Sequence, residues 1–243
     1  MSEIKISESS LKSSNIIYIS QALKGVITEV NGKAEIKRDR NRCEYKITVP
    51  NDYRDLTLLE VQDKIADVIA VNYKYVYFKK NIKVTGLTAS EYELLLTALI
   101  SADIDEDKRY AIKKLKSFSE YAIDGIFNFR MQPLKGKWQE ILSYIPTVFP
   151  FGGLKDFVSY LIKDKAGKRV YYENGKVYDK RFNELNRKTL LGDNNFEYGS
   201  IKEMLLSGAG EIELSTKLND NEEKYLKEFY GDRAIFHEGY FNL

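Results

Sequence analysis

The sequence predicts an α+β protein with antiparallel strands at its N-terminus, a helical bundle in its middle, and a C-terminal β-hairpin followed by a small α/β unit. Three observations carry this. Cys43 to Val49 alternates apolar and polar residues at the period of a half-buried strand. Leu58, Val61, Ile65, Val68, Ile69 and Val76 recur at helical spacing and mark one buried face through about Phe78. Residues 168–182 place two β-prone arms on either side of Asn174-Gly175, a pair that supplies the positive φ angles of a type I′ turn. The chain thus divides into 1–52, 53–165 and 166–243, segments that are alternatively parts of one compact domain.

Taken in order, the first dozen residues are rich in Ser, Lys and Glu and read as a loosely ordered arm. Ile16 to Ile19 is a short β-prone run. Val26 to Val30, Asn31-Gly32 and Lys33 to Lys37 read as a first hairpin, and Cys43 to Val49 as a further strand before Pro50. After the helix from Leu58, Thr88 and Glu91 form a capping-box pattern that opens a second helix through Leu99. A third starts near Asp105, with Ala111, Leu115, Phe118 and Ala122 on one side and Lys108, Lys113, Lys114 and Lys116 elsewhere. These three are expected to pack together.

Asp124 reads as the N-cap of a fourth helix carrying Phe127 and Met131, interrupted by Pro133 and Gly136 and resuming from Trp138 to Ile145. Pro150 and Gly152-Gly153 mark a turn before a short amphipathic helix through Leu154, Phe157, Val158 and Leu161, with the helical middle ending near Asp164. Beyond the hairpin, Ser200 to Ser207 reads as a helix ending at Gly208, Glu211 to Leu214 as a strand, Asp220 to Tyr230 as a helix and Arg233 to His237 as a strand. Strand, crossover helix and strand predict a small parallel pair.

Composition bounds function more than it identifies it. The chain of 243 residues is 43% apolar and 30% charged, enough to fill a core. Its 38 Lys plus Arg and 36 Asp plus Glu leave a net charge of +2, so a nucleic-acid or membrane role must rest on local patches. Glu3, Glu8 and a Ser-rich run stand where a signal peptide would carry a basic start and an apolar stretch. The longest apolar run, Tyr92 to Ile100, is interrupted by Glu93 and Thr97 and falls short of the roughly 18 residues of a membrane span. A soluble, cytoplasmic protein is the expectation. Cys43 is the sole cysteine and His237 the sole histidine, which excludes an internal disulfide and a Cys/His zinc site within one chain. Neither a metal nor another cofactor is expected.

Asp124-Gly125 followed by Phe127, Phe129 and Arg130 resembles the Asp-Gly-Phe-x-x-Phe-Arg segment of the YtxC-like sporulation protein family of endospore-forming bacteria. Two further stretches are similar to that family: the helix Val61 to Phe78, and Leu205-Leu206-Ser207 leading to Phe229-Tyr230-Gly231-Asp232-Arg233. The resemblance spans about residues 58 to 240. It implies a non-enzymatic protein acting through a protein partner in a process such as sporulation, and brings no catalytic residue. The sequence departs from the family where Pro133, Pro146, Pro150 and Gly152-Gly153 break up the segment after Arg130. It departs again where Ile235-Phe236-His237 follows in place of a cysteine-bearing tail.

No catalytic constellation stands out. His237 is the only residue of the type whose unperturbed pKa lies near neutrality, but no nucleophile pattern adjoins it, and a strand-end histidine is the plainer reading. Cys43 follows Arg40 and Arg42, which can lower a thiol pKa, yet its alternating strand favours a buried thiol. Asp124 and Arg130 are read as an N-cap and a cation pairing with a carboxylate, and Phe127, Phe129 and Met131 as packing residues. The amides at Gly152-Gly153 lack a Walker or dinucleotide fingerprint, so a tight turn is preferred.

The functional lead is electrostatic. From Lys163 to Lys188 there are nine Lys or Arg against four Asp or Glu, interleaved with Tyr171, Tyr172, Tyr178 and Phe182. The candidate binding residues are Lys168, Arg169, Tyr171, Lys176, Tyr178, Lys180 and Arg181, joined by Arg38, Arg40 and Arg42 of the strand region 33–42. Cations beside rings grip phosphate while stacking bases, so nucleic acid is the alternative partner. Solvated strand edges guarded by lysine give the same composition.

Overall fold

Residues 1–163, 165, 167–192 and 197–237 are described by a computed structural model. They divide into two units: Met1–Lys74 with Asp105–Ser143, and Tyr75–Ile104 with the chain from Tyr144 onward.

In the first unit, Ser2–Ser9 (β1) sends Ile4, Ile6 and Glu8 inward at a period of two. Ser13–Glu29 (α1) packs on the sheet that β1 builds. Lys33–Arg38 (β2), Arg42–Val49 (β3) and Tyr121–Ala122 (β4) complete four strands in the order β2-β3-β1-β4. β3 is antiparallel to β1 and β2, setting Tyr45 opposite both Ile6 and Ile36. β4 joins β1 in parallel.

Two expectations change here. The N-terminal residues are a core strand instead of a loose arm, and Ile16 to Ile19 lies in α1 instead of a strand. Ile16, Ile19, Leu23 and Ile27 recur at three and four and are all buried, so packing on the sheet outweighs the β preference of the short run. Asn31 does take a left-handed φ of 52°, but it ends a helix rather than turning a hairpin. The N–H of Gly32 donates to the Ile27 carbonyl at 2.8 Å. β2 pairs with β3 through a turn built by Asp39, whose carboxylate accepts the N–H groups of Asn41 and Arg42, both at 2.7 Å.

The helix expected over Leu58 to Phe78 is present as Arg54–Asp67 (α2), a π-helical turn at Val68–Tyr73 and Lys74–Asn81 (α3). The wider turn shifts the helical phase, and Val76 emerges 47% exposed instead of continuing the buried face. Ala89–Ala102 (α4) belongs to the second unit and Ile104–Leu115 (α5) returns to the first. α5 stops at Leu115, so Phe118 and Ala122 lie beyond it, Ala122 in β4. Ile123–Arg130 (α6) begins before Asp124, which sits in its first turn instead of capping it. Gln132–Leu142 (α7) accepts Pro133 in its first turn, where no N–H is missed, and carries Gly136 inside.

Buried charge ties these elements together. The Lys74 ammonium, fully buried, reaches the Asp107 carboxylate at 2.9 Å. The same oxygen accepts the indole N–H of buried Trp138 at 2.8 Å, while Lys137 reaches the other at 3.1 Å.

In the second unit the Thr88 capping box opens α4 as read. Gly86, at φ 88°, lies so close to the backbone of Phe149 that a Cβ would stand 2.1 Å from its carbonyl oxygen. Gly153–Ile162 (α8) follows its glycine turn; Asp164, the expected end of the helical middle, lies outside the described residues. Arg169–Glu173 (β5), Lys176–Tyr178 (β6) and Glu184–Leu185 (β7) form an antiparallel meander. Gly199–Leu206 (α9), Glu211–Leu214 (β8), Asp220–Tyr230 (α10) and Ala234–Phe236 (β9) follow. The sheet order is β7-β6-β5-β8-β9, with β5, β8 and β9 parallel.

Alternation gives this sheet two faces. Val170, Tyr172, Val177, Ile212 and Leu214 are buried, whereas Arg169, Tyr171, Tyr178, Glu211, Glu213 and Ile235 occupy the open side. The protein is of the α+β class, with N-terminal strands, a helical middle and a C-terminal hairpin joined to a parallel strand pair. Among the described residues no helix is long and apolar enough to cross a membrane.

Removing one partner of a buried ion pair costs about 3–5 kcal/mol. Asp107→Ala should destabilise by that order in denaturant unfolding, because it removes the buried carboxylate that Lys74 and the Trp138 N–H share. The double replacement Lys74→Met with Asp107→Leu should recover most of the loss; equal destabilisation by both variants would mean the pair itself is not the source.

Candidate functional site

The β6–β7 turn is organised by Asp179. Its carboxylate accepts the N–H groups of Arg181 at 2.8 Å and Asn183 at 2.9 Å, and the Asn183 side-chain amide at 3.2 Å. Burial pushes the Asp179 carboxyl up, but these donors outweigh it and hold it below its ordinary value. The turn exposes Lys180 and Arg181 and holds Phe182 at a left-handed φ of 60°. Phe182 then stacks on Tyr171, ring centroids 4.9 Å apart and planes 25° from parallel.

Beside this turn lies an open cleft of about 670 Å³, lined by Lys168, Arg169, Lys180, Arg181 and Arg187 with Asn183 and Ser207. Asp179 is the one acid among its described lining residues, and its carboxylate is engaged with the turn. Arg169 is held by two carboxylates: Glu211 accepts from it at 2.8 and 3.0 Å and Glu213 also bonds it. Glu211 first, and then Glu213, raise its pKa further. The Arg187 guanidinium also donates to the Leu206 carbonyl at 3.3 Å.

Arg187 is positioned through its backbone. Buried Glu203 on α9 accepts the N–H groups of Arg187 at 3.0 Å and Lys188 at 2.7 Å. Burial raises the Glu203 carboxyl above its ordinary value against those donors. Four of the cations singled out from the sequence, Lys168, Arg169, Lys180 and Arg181, therefore share one cleft. Arg187 joins them from a 3₁₀ turn at Arg187–Leu191, and the sequence marked it only as part of a charge count.

The remaining candidates lie elsewhere. Lys176 pairs with Glu184 at 2.8 Å, which raises its pKa, and Tyr178 stands opposite Tyr171 on the open sheet face. Arg38, Arg40 and Arg42 belong to the first unit. There Arg42 is committed to Asp124 at 2.7 Å and to the Ser7 hydroxyl at 2.7 Å, so Asp124 serves as the partner of Arg42. Gly125 donates its N–H to the same carboxylate at 2.9 Å. Phe127 is core, 4.2 Å from the Tyr73 ring and 5.8 Å from Trp138. Phe129, expected to pack, is 80% exposed, and Arg130 is exposed beside it. Cys43 is buried. His237 continues from β9, its N–H donating to the Leu214 carbonyl at 2.8 Å.

A second polar cluster is not legible in the sequence, because it forms only once the N-terminal residues become a core strand. Buried Glu8 accepts the Tyr73 hydroxyl at 2.9 and 3.0 Å and the Asn15 amide at 3.4 Å. The Lys12 ammonium stands 3.5 Å over the Tyr73 ring. Burial raises the Glu8 carboxyl against the opposing pull of Tyr73, Asn15 and Lys12, and burial likewise lowers Lys12. Among the described residues no group of His, Cys, Asp and Glu is arranged to hold a metal ion. No family model, curated protein or solved structure matches the chain.

The Glu8 shift fixes a pH dependence. A carboxyl raised in the folded state contributes stability that is complete below its unfolded value and is lost as pH rises through its folded value. Melting of the wild type should therefore lose that contribution above the ordinary glutamate value of 4.5. Glu8→Gln should remove this part of the pH profile and compare most favourably with wild type near pH 7. A variant that compares worse at pH 7 than at pH 4 would show that the fold uses the ionised carboxylate.

Proposed function

We propose that the unit containing the β5–β9 sheet binds single-stranded nucleic acid, with Lys168, Lys180, Arg181 and Arg187 on the phosphates. The observation that carries this reading is the convergence of these cations on one cleft beside the exposed Phe182 ring. An isolated lysine edge would scatter its charges along a strand, whereas here they arrive from the segment before β5, a turn and a 3₁₀ helix. An open cleft suits a chain that passes through, and charge with an aromatic ring is the chemistry of sequence-tolerant single-strand binding.

A protein-partner role of the sporulation type is the second reading. It rests on the resemblance and is favoured by Phe129, 80% exposed on α6 next to Arg130. An exposed ring beside a cation is a common interface anchor.

Anisotropy titrations with labelled single-stranded and duplex oligonucleotides at two salt concentrations test the first reading. Each phosphate contact on a single strand contributes about −0.7 to the slope of log affinity against log salt. Replacing Lys180 and Arg181 together by alanine should weaken binding and flatten that slope by about 1.4, while the backbone N–H groups that hold the turn remain. Absence of salt-dependent binding by the wild type would overturn the reading, and loss of partner capture on Phe129→Ala would favour the second.

A further inference from the structure

Adjoining the basic cleft is a recess of about 500 Å³ on the open sheet face, lined by Tyr171, Phe182, Glu213, Ile235 and His237 together with Arg169. Arg169 lines both depressions.

Phe182 is the unusual residue. A bulky side chain at φ 60° occupies backbone space that glycine or asparagine takes at lower cost. Such strain persists where the surrounding structure enforces it, and it gathers at binding sites. Hydrophobic burial does not explain the placement, since Phe182 remains 56% exposed. What the strained backbone achieves is to lay the ring on Tyr171 at the wall of the recess. At the same recess Glu213 offers a carboxylate, held in place by Arg169 and only 16% exposed. An ionised carboxylate accepts hydrogen bonds and donates none.

We propose that this recess is a nucleobase subsite, with a base stacking on the Phe182–Tyr171 pair and its exocyclic amino group donating to Glu213. Cytosine, adenine and guanine carry such a group; uracil and thymine present a carbonyl there, which the carboxylate repels. The proposal rests on the nucleic-acid reading of the neighbouring cleft, with Arg169 at the passage from base to phosphate.

Two measurements separate it from that reading. In the first, labelled oligocytidine and oligouridine are titrated against wild type, Phe182→Gly and Glu213→Gln. Glycine suits the left-handed backbone, so Phe182→Gly should melt at or above the wild-type temperature. It should weaken oligocytidine binding by about 5- to 150-fold, the usual worth of one stacked base. Glu213→Gln should narrow the preference for cytidine over uridine. In the second, saturation-transfer NMR with free cytidine and uridine, which carry no phosphate, should show cytidine contact in the wild type and its loss in Phe182→Gly.

If Phe182→Gly and Glu213→Gln leave both affinity and preference unchanged while the Lys180/Arg181 replacement weakens binding, the subsite is overturned and the phosphate cleft stands. Cytidine contact without oligonucleotide binding supports the subsite and overturns the phosphate cleft. Absence of both overturns both. Should Phe182→Gly melt early, the cytidine preference in Glu213→Gln decides alone.

Discussion

An ammonium group sealed from water must meet a carboxylate, and the first unit is arranged around that requirement. Lys74 follows directly on the π-helical turn, Asp107 lies in the first turn of α5, and Trp138 comes from α7. One carboxylate oxygen serves two of these elements and the other takes Lys137. A charge pair of this kind adds less net stability than an apolar pair of equal volume, but misplacing either partner is expensive. It therefore specifies how the helices meet more than it strengthens them. A parallel arrangement lies nearby: Lys108 bridges Asp63 at 2.9 Å and Asp67 at 2.8 Å, and Tyr18 donates to Asp67 at 3.1 Å.

The second unit meets its buried and half-buried carboxylates differently. Glu203 takes the N–H groups of Arg187 and Lys188, Glu222 takes the N–H of Ser200 at 2.7 Å, and Asp179 takes those of Arg181 and Asn183. Backbone donors bond these acids directly, while the charged side chains of Arg187 and Lys188 also act on Glu203, and that of Arg181 on Asp179, as nearby cations. Arg187 has its amide bound to Glu203 while its side chain lines the cleft. In the first unit Arg42 goes the other way: its guanidinium is spent on Asp124 and Ser7.

The C-terminal elements were legible because their signals are local. Asn174 at φ 49° and Gly175 at φ 82° make the turn that their chemistry announces, and β8, α10 and β9 follow the expected order. The N-terminal region was harder to read. β1 has its period of two, but the third inward position is Glu8, an ionisable side chain whose burial depends on Asn15 in α1 and on Tyr73, 65 positions away. α1 carries a β-branched run that only packing on the sheet makes helical. Asn31-Gly32 has the same chemistry as Asn174-Gly175 and ends a helix, because positive φ serves both turns. For the site, charge density around residues 163–188 was visible, yet membership of the cleft was not. Lys176 has the composition of a ligand-binding residue and is neutralised by Glu184 across the strand.

The direction of Phe182 follows from the same turn that presents the cations. Lys180, Arg181 and Phe182 are consecutive, and on a regular strand their side chains would alternate between faces at a fixed spacing. Asp179 instead draws the chain into a tight loop, and the left-handed residue reverses the backbone so that the ring folds back over β5 while the two cations line the adjoining cleft. A glycine at position 182 would satisfy the loop and leave Tyr171 bare. Phenylalanine there costs backbone strain that the three donors to Asp179 and the stacked ring offset. Charge and aromatic surface are thereby presented by one short turn, with Arg169 lining both depressions.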